Sequence, residues 1–127
     1  MRDSTILSLG SFLAALGVAL GAFGAHALEG QVTETRLGTW ETAVLYHLLH
    51  ALALVALGAM AARLGRTAGK IAILFTIGIV LFSGSLYVLV LSDIGVLGAI
   101  TPFGGTAFIA AWIWLAFTAR RLHSPKK

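Results

Sequence analysis

Apolar positions along this chain fall into four long runs that contain no charged side chain, at 4–28, 42–62, 71–92 and 94–119. The runs hold 25, 21, 22 and 26 residues and together take up 94 of 127 positions. At about 1.5 Å of rise per residue, roughly 20 apolar residues cross a hydrocarbon core of about 30 Å, so each run is long enough to span a membrane as a helix. The pattern predicts an all-α membrane protein: four transmembrane helices at about 5–27, 41–62, 71–91 and 102–119, forming one compact bundle over 1–127. Local signals set the expected boundaries. Ser4 or Thr5 is a candidate cap for the first span, and Thr39 for the second, with Trp40 where an interfacial anchor belongs. Gly65 and Gly69 frame the second turn, and Ser92, Asp93 and Gly95 break the third span. Thr101 followed by Pro102 reads as a cap and first helical position. The fourth span, about 18 residues and about 27 Å long, is expected to be only weakly tilted.

Composition narrows the class further. Hydrophobic residues make up 58% of the chain and charged ones 11%, with a mean hydropathy of +0.94, far from an average soluble domain. The connections are too short for a soluble catalytic domain, so any chemistry sits among the helices or at their ends. There is no cysteine, which removes disulfides, thiolate metal sites and cysteine nucleophiles. The pI near 10.1 reflects where the cations lie rather than nucleic-acid binding. Arg2, Arg63, Arg66, Lys70, Arg120, Arg121, Lys126 and Lys127 fall at one end of the spans, and Arg36 alone falls at the other. Because Lys and Arg are retained on the cytoplasmic side, both termini and the 63–70 turn are expected inside a bacterial inner membrane. With Glu29, Glu34, Glu41 and Asp93, the outer connections then carry −3, and the inner side carries +7. Ala25-His26-Ala27 has the look of a signal-cleavage site, but the first apolar run exceeds the 7–15 residues of a typical signal core and is read as retained.

Small residues supply the packing signal. Gly10, Ala14, Gly17, Gly21 and Gly24 recur every three or four positions on the first span, and Gly104, Ala107 and Ala111 do so on the fourth. Lipid gives helices no hydrophobic reason to associate, so close backbone approach through such stripes is the usual device. We read both stripes as packing within the four-helix unit. A chain this small has little interior, so self-association or a membrane-protein partner is expected as well.

The polar groups inside the spans carry whatever chemistry there is. A histidine at bilayer depth is costly unless paired, and Tyr46, His47 and His50 lie within about 100° of one another on the second helix. Counted from Glu41 they fall in the outer half of the membrane, level with His26, and Ser83, Ser85, Tyr87 and Thr101 are their expected partners. A satisfied interhelical network is the first reading. A polar path, and then a haem or metal site, are the alternatives, since imidazole both titrates near neutrality and ligates metals. A third ligand is missing, Glu41 points away on its own helix, and neither a cofactor nor a metal is expected. The start of the fourth span, Pro102-Phe103-Gly104-Gly105, reads as a plain helix start rather than an anion site, His123 as a solvated tail residue, and the basic tail as a topology signal. No phosphate loop, nucleophile elbow or metalloprotease motif occurs, and the absence of a mid-membrane carboxylate argues against the proton-coupled small multidrug exporters.

Taken together, Gly21-Ala22-Phe23-Gly24-Ala25-His26, Trp40 through Tyr46-His47-x-x-His50, Phe82-Ser83-Gly84-Ser85-Leu86-Tyr87 and Ile100-Thr101-Pro102-Phe103-Gly104-Gly105 resemble a known set. It belongs to the small bacterial membrane family classed as domain of unknown function 423, related to eukaryotic transmembrane protein 256. The resemblance covers essentially the whole chain and implies a multispan inner-membrane protein without an assigned activity. The expected function is a non-enzymatic accessory or interaction subunit bearing a His/Ser/Tyr network. A small transporter or channel with a His-lined path is the alternative, and a haem or metal protein a weaker third.

Overall fold

The computed structural model describes residues 2–122, so His123, Lys126 and Lys127 lie outside the described residues. Helix α1 runs Asp3–Leu28, and its last turn, Gly24–Leu28, is widened to π geometry. It stops where Glu29 leaves the helical region (ψ 124°) and Gly30 takes φ +79°. Arg2 precedes the helix in extended geometry without a side-chain cap bond, so Ser4 and Thr5 lie inside the first turn rather than capping it.

Helix α2, Glu34–Leu64, starts well before the charge-free run at 42–62. Thr33 is its cap, its hydroxyl accepting from the Arg36 amide at 3.2 Å. Thr39, the expected cap, sits within the helix and donates to the Thr35 carbonyl at 3.0 Å. The physical reason is that hydropathy marks where lipid begins, not where a helix does. Glu34 in the first turn is favourable against the helix dipole. At about 1.5 Å per residue its 31 residues reach about 46 Å, well beyond a hydrocarbon core.

The turn into α3, Arg66–Ser92, is the single residue Gly65, at φ +60° and ψ −145°, a region essentially closed to side chains with a Cβ. Gly69, expected to frame that turn, is instead a buried residue of α3. A second wide turn interrupts α3 at Ile79–Gly84, and the helix ends at Asp93, whose left-handed φ of 58° is held by an ion pair with Arg36, Nε to Oδ1 2.9 Å. A 3-10 turn, Gly95–Ala99, leads into α4, Thr101–Leu122. Thr101 opens α4, but its hydroxyl meets Ser85 rather than capping the turn.

Helices α1 and α2 pack antiparallel along their length, and glycine makes the approach possible. A Cβ at Gly10 would lie 2.7 Å from the Val55 amide nitrogen, one at Gly17 2.6 Å from Leu48 Cδ2, and one at Gly58 2.6 Å from the Leu7 nitrogen. Gly21 faces Val44, and Gly24 faces the Trp40 ring. Helices α3 and α4 close in the same way: Gly104 lies on the Phe82 backbone, Gly78 lies on the Phe108 ring, and Ala111 is fully buried. Ala107 is half-buried beside them. Along α2 the buried residues Trp40, Ala43, His47, His50, Leu54, Leu57, Ala61 and Leu64 step by three and four, so one stripe of α2 faces its neighbours while the rest of its surface stays open. One apolar cluster, around Leu54, Leu57, Ile71, Phe75 and Phe108, lies toward the end bearing Arg63 and Arg66, the basic pole. A second, around Trp40, Ala43, Leu86 and Leu89, lies toward the end bearing Arg36 and Asp93, the acidic pole.

Candidate functional site

Two buried histidines on α2 organise the polar interior, and their hydrogen bonds fix their tautomers. His47, 2% exposed, has Nε2 at 2.8 Å from the Leu13 carbonyl and Nδ1 at 3.0 Å from the Tyr87 hydroxyl. A carbonyl only accepts, so Nε2 carries the proton, and in the neutral ring Nδ1 accepts from Tyr87. His50 is the reverse. The Trp112 indole N–H only donates, and it meets Nε2 at 3.1 Å, so Nδ1 carries the proton and donates to the Tyr46 carbonyl at 2.7 Å. The His50 ring also stacks on Phe108, with centroids 3.5 Å apart and planes within 8°.

Residues three apart on a helix point about 60° apart, and that angle divides the pair between different neighbours. His47 joins α2 to α1 and α3, and His50 joins α2 to α4. The two rings therefore anchor separate contacts rather than one site. Leu13 stands near the middle of α1, so the His47 ring reaches closer to mid-depth than counting along α2 alone implies. Tyr46 keeps its ring at the surface, stacked on Phe82 at 4.4 Å. His26 is exposed on the wide last turn of α1 and takes part in none of these bonds.

Helix α3 supplies the rest of the network. Ser83, fully buried, donates to the Ala43 carbonyl at 2.7 Å, so Ser83 and Tyr87, one turn apart, both hold α2. Ser85, on the other face, donates to the Phe82 carbonyl at 2.9 Å and shares a 2.8 Å hydrogen bond with Thr101 of α4. Ser83 lies within the wide turn Ile79–Gly84 and Ser85 directly follows it, a type of distortion frequent at functional positions.

Trp40, expected as an interfacial anchor, is 1% exposed and donates to the Leu20 carbonyl at 2.8 Å. The slot left by the missing side chain of Gly24 draws the indole inward. The sequence carries no signal for Trp112 and Phe108 as partners of His50, because both sit in an apolar run where nothing local separates a histidine partner from a lipid-facing residue.

The network is closed on itself. Among the described residues no buried side-chain nitrogen or oxygen lacks a hydrogen-bond partner, and no group of three His, Asp or Glu side chains is placed to hold a metal. Both nitrogens of both buried imidazoles are engaged, so either ring must break a bond to the chain before offering a lone pair to anything else. An apolar groove of about 490 Å³ stays open beside this network, between α2 and α4, with Tyr46, His50, Phe82, Phe108, Ile109 and Trp112 among its walls.

Four helices long and apolar enough to cross a membrane, with no strand among the described residues, define an all-helical polytopic membrane protein. Comparison with known proteins agrees. The chain belongs to the family described as "Protein of unknown function (DUF423)", whose profile matches residues 20–105. It is 49% identical over 116 residues to the UPF0382 membrane protein YwdK of Bacillus subtilis, covering 87% of this chain and 92% of that protein. It is 43% identical over 107 residues to the UPF0382 membrane protein SH2409 of Staphylococcus haemolyticus, covering 84% and 88%, and 45% identical over the same length and shares to SAB0533 of Staphylococcus aureus. No solved structure matches the chain.

Proposed function

We propose that this chain is a non-enzymatic accessory or interaction subunit of the bacterial inner membrane, a compact four-helix unit that associates with a second copy or a membrane-protein partner. Both termini and the Gly65 turn face the cytoplasm in this reading. The charge distribution supports that: among the described residues Arg2, Arg63, Arg66, Lys70, Arg120 and Arg121 share the basic pole, and Arg36 stands alone at the other.

The observation that carries the reading is the closure of the polar network around His47 and His50. Its hydrogen bonds join helix to helix, so its role is to hold a shape. A transporter or channel needs its polar groups to converge on one path, whereas these two histidines turn to different helices. The glycine stripes support the same conclusion, because Gly17, Gly21, Gly24 and Gly104 face neighbours inside the chain. Association then uses a different surface. The groove between α2 and α4 is shaped for an apolar side-chain ridge, and its rim residues Trp112 and Ile109 are 42% and 61% exposed.

A photo-crosslinking residue at Ile109, in cells carrying the chain at natural abundance, tests this. The expected outcome is a defined adduct at 109 and none at Val18, an equally lipid-facing position on α1. Equal diffuse labelling at both positions, with the chain running as a lone monomer, overturns the proposal.

A further inference from the structure

The basic pole carries a site of its own. Arg66, Lys70, Ile73, Ile77 and Val80 lie at i, i+4, i+7, i+11 and i+14 on α3, which places them within an arc of about 80° at about 100° per residue. All five are exposed. Arg66, Gly69, Lys70 and Ile73 line a cleft of about 350 Å³ at the top of this stripe. Arg63 adds a third positive charge just before the turn. The one ion pair among the described residues is Arg36 with Asp93 at the opposite pole, so the basic cluster is not neutralised by a carboxylate within salt-bridge reach. Below the cations the stripe becomes purely branched aliphatic, with Ile73, Ile77 and Val80 at 49%, 42% and 62% exposure. Two cations one turn apart above a continuous apolar track match a molecule with a phosphate at one end and hydrocarbon at the other.

We propose that Arg66 and Lys70 bind the phosphate of an anionic membrane phospholipid, one of whose acyl chains lies along Ile73, Ile77 and Val80. The charge complementarity selects the anionic headgroup, and the apolar track selects a lipid over a free phosphate. The site needs only that the Gly65 turn lies at the membrane boundary, so it stands whether or not the groove between α2 and α4 takes a partner.

Native mass spectrometry of the full chain in mild detergent tests it, with phosphatidylglycerol, phosphatidylcholine and inorganic phosphate as separate probes. Wild type is expected to retain one phosphatidylglycerol in preference to phosphatidylcholine. Each cation near a membrane surface contributes about 1 kcal/mol, so R66Q/K70Q should weaken phosphatidylglycerol about 30-fold. R120Q/R121Q removes the same charge from α4 and should change it less than about threefold. Inorganic phosphate should not displace the lipid. Equal losses in the two double variants, equal retention of the two lipids, or displacement by phosphate alone overturns the site. Should R66Q/K70Q fail to fold, the wild type decides: retention of phosphatidylglycerol falls as salt rises if Arg66 and Lys70 hold the phosphate, and salt-independent retention contradicts it.

Discussion

Replacing His47 with leucine removes two interhelical hydrogen bonds at once, one to the Leu13 carbonyl of α1 and one to the Tyr87 hydroxyl of α3. Hydrogen bonds between helices in membranes average about 0.6 kcal/mol and reach about 1.7, so the substitution should cost about 1–3 kcal/mol. Tyr87→Phe removes one of the two and should cost about 0.6–1.7 kcal/mol on the same scale. The Tyr87 hydroxyl has its bond with His47, so most of its contribution vanishes once the imidazole is gone. The double variant should therefore show a coupling of about the single-bond value. Trp112 bonds His50 and not His47, so the coupling between His47→Leu and Trp112→Phe should stay within the roughly 0.3–0.5 kcal/mol of independent sites. Reversible unfolding in mixed detergent micelles, followed by circular dichroism, measures all five variants. No coupling between 47 and 87 would show that the His47–Tyr87 bond holds nothing together, and a large one between 47 and 112 would show that the two histidines form one shared site; either result refutes the separation of the two contacts.

The remaining predictions concern tautomers, close approaches and the turn. Nitrogen-15 NMR of histidine-labelled protein should show His47 protonated on Nε2 and His50 on Nδ1; identical tautomers would contradict the hydrogen-bond assignment. Gly104→Ala should destabilise by about 1–3 kcal/mol, because the new methyl meets the Phe82 backbone, which cannot rotate away. Gly38→Ala, inside α2 with open space around it, should instead stabilise by about 1 kcal/mol, so equal effects at the two glycines would refute the packing account. Gly65→Ala should cost about 1–3 kcal/mol through backbone strain at φ +60°, and an unfolding free energy unchanged from wild type would show that the turn relaxes.

Much of the architecture is legible from charge spacing alone. Four uninterrupted apolar runs leave no alternative to four long helices, and the family resemblance rests on motifs that stand in the sequence. What spacing cannot supply is where a helix begins outside lipid. The early start of α2 at Glu34 depends on Thr33, whose capping bond competes with equally plausible threonines at 35 and 39. The site is half legible for a related reason. Tyr46, His47, His50, Ser83, Ser85, Tyr87 and Thr101 stand out because polar groups are rare in these runs, and all but Tyr46 hydrogen-bond another helix through their side chains. Their separation into two contacts depends on which helix lies on which side of α2, and one helix face carries no information about that. Trp40 illustrates the limit. Its place beside the run suggests an interfacial anchor, and only the facing slot at Gly24 shows why it is buried.

The central claim, that this is a shape-holding subunit which associates through an outward face, is tested most directly by native mass spectrometry of the chain gently extracted at its natural abundance. The account predicts a defined assembly, either a homo-oligomer or a complex with another membrane protein, that dissociates when Ile109 in the groove between α2 and α4 is replaced by a bulky charged residue such as arginine. A bare monomer, unchanged by that substitution, would contradict it.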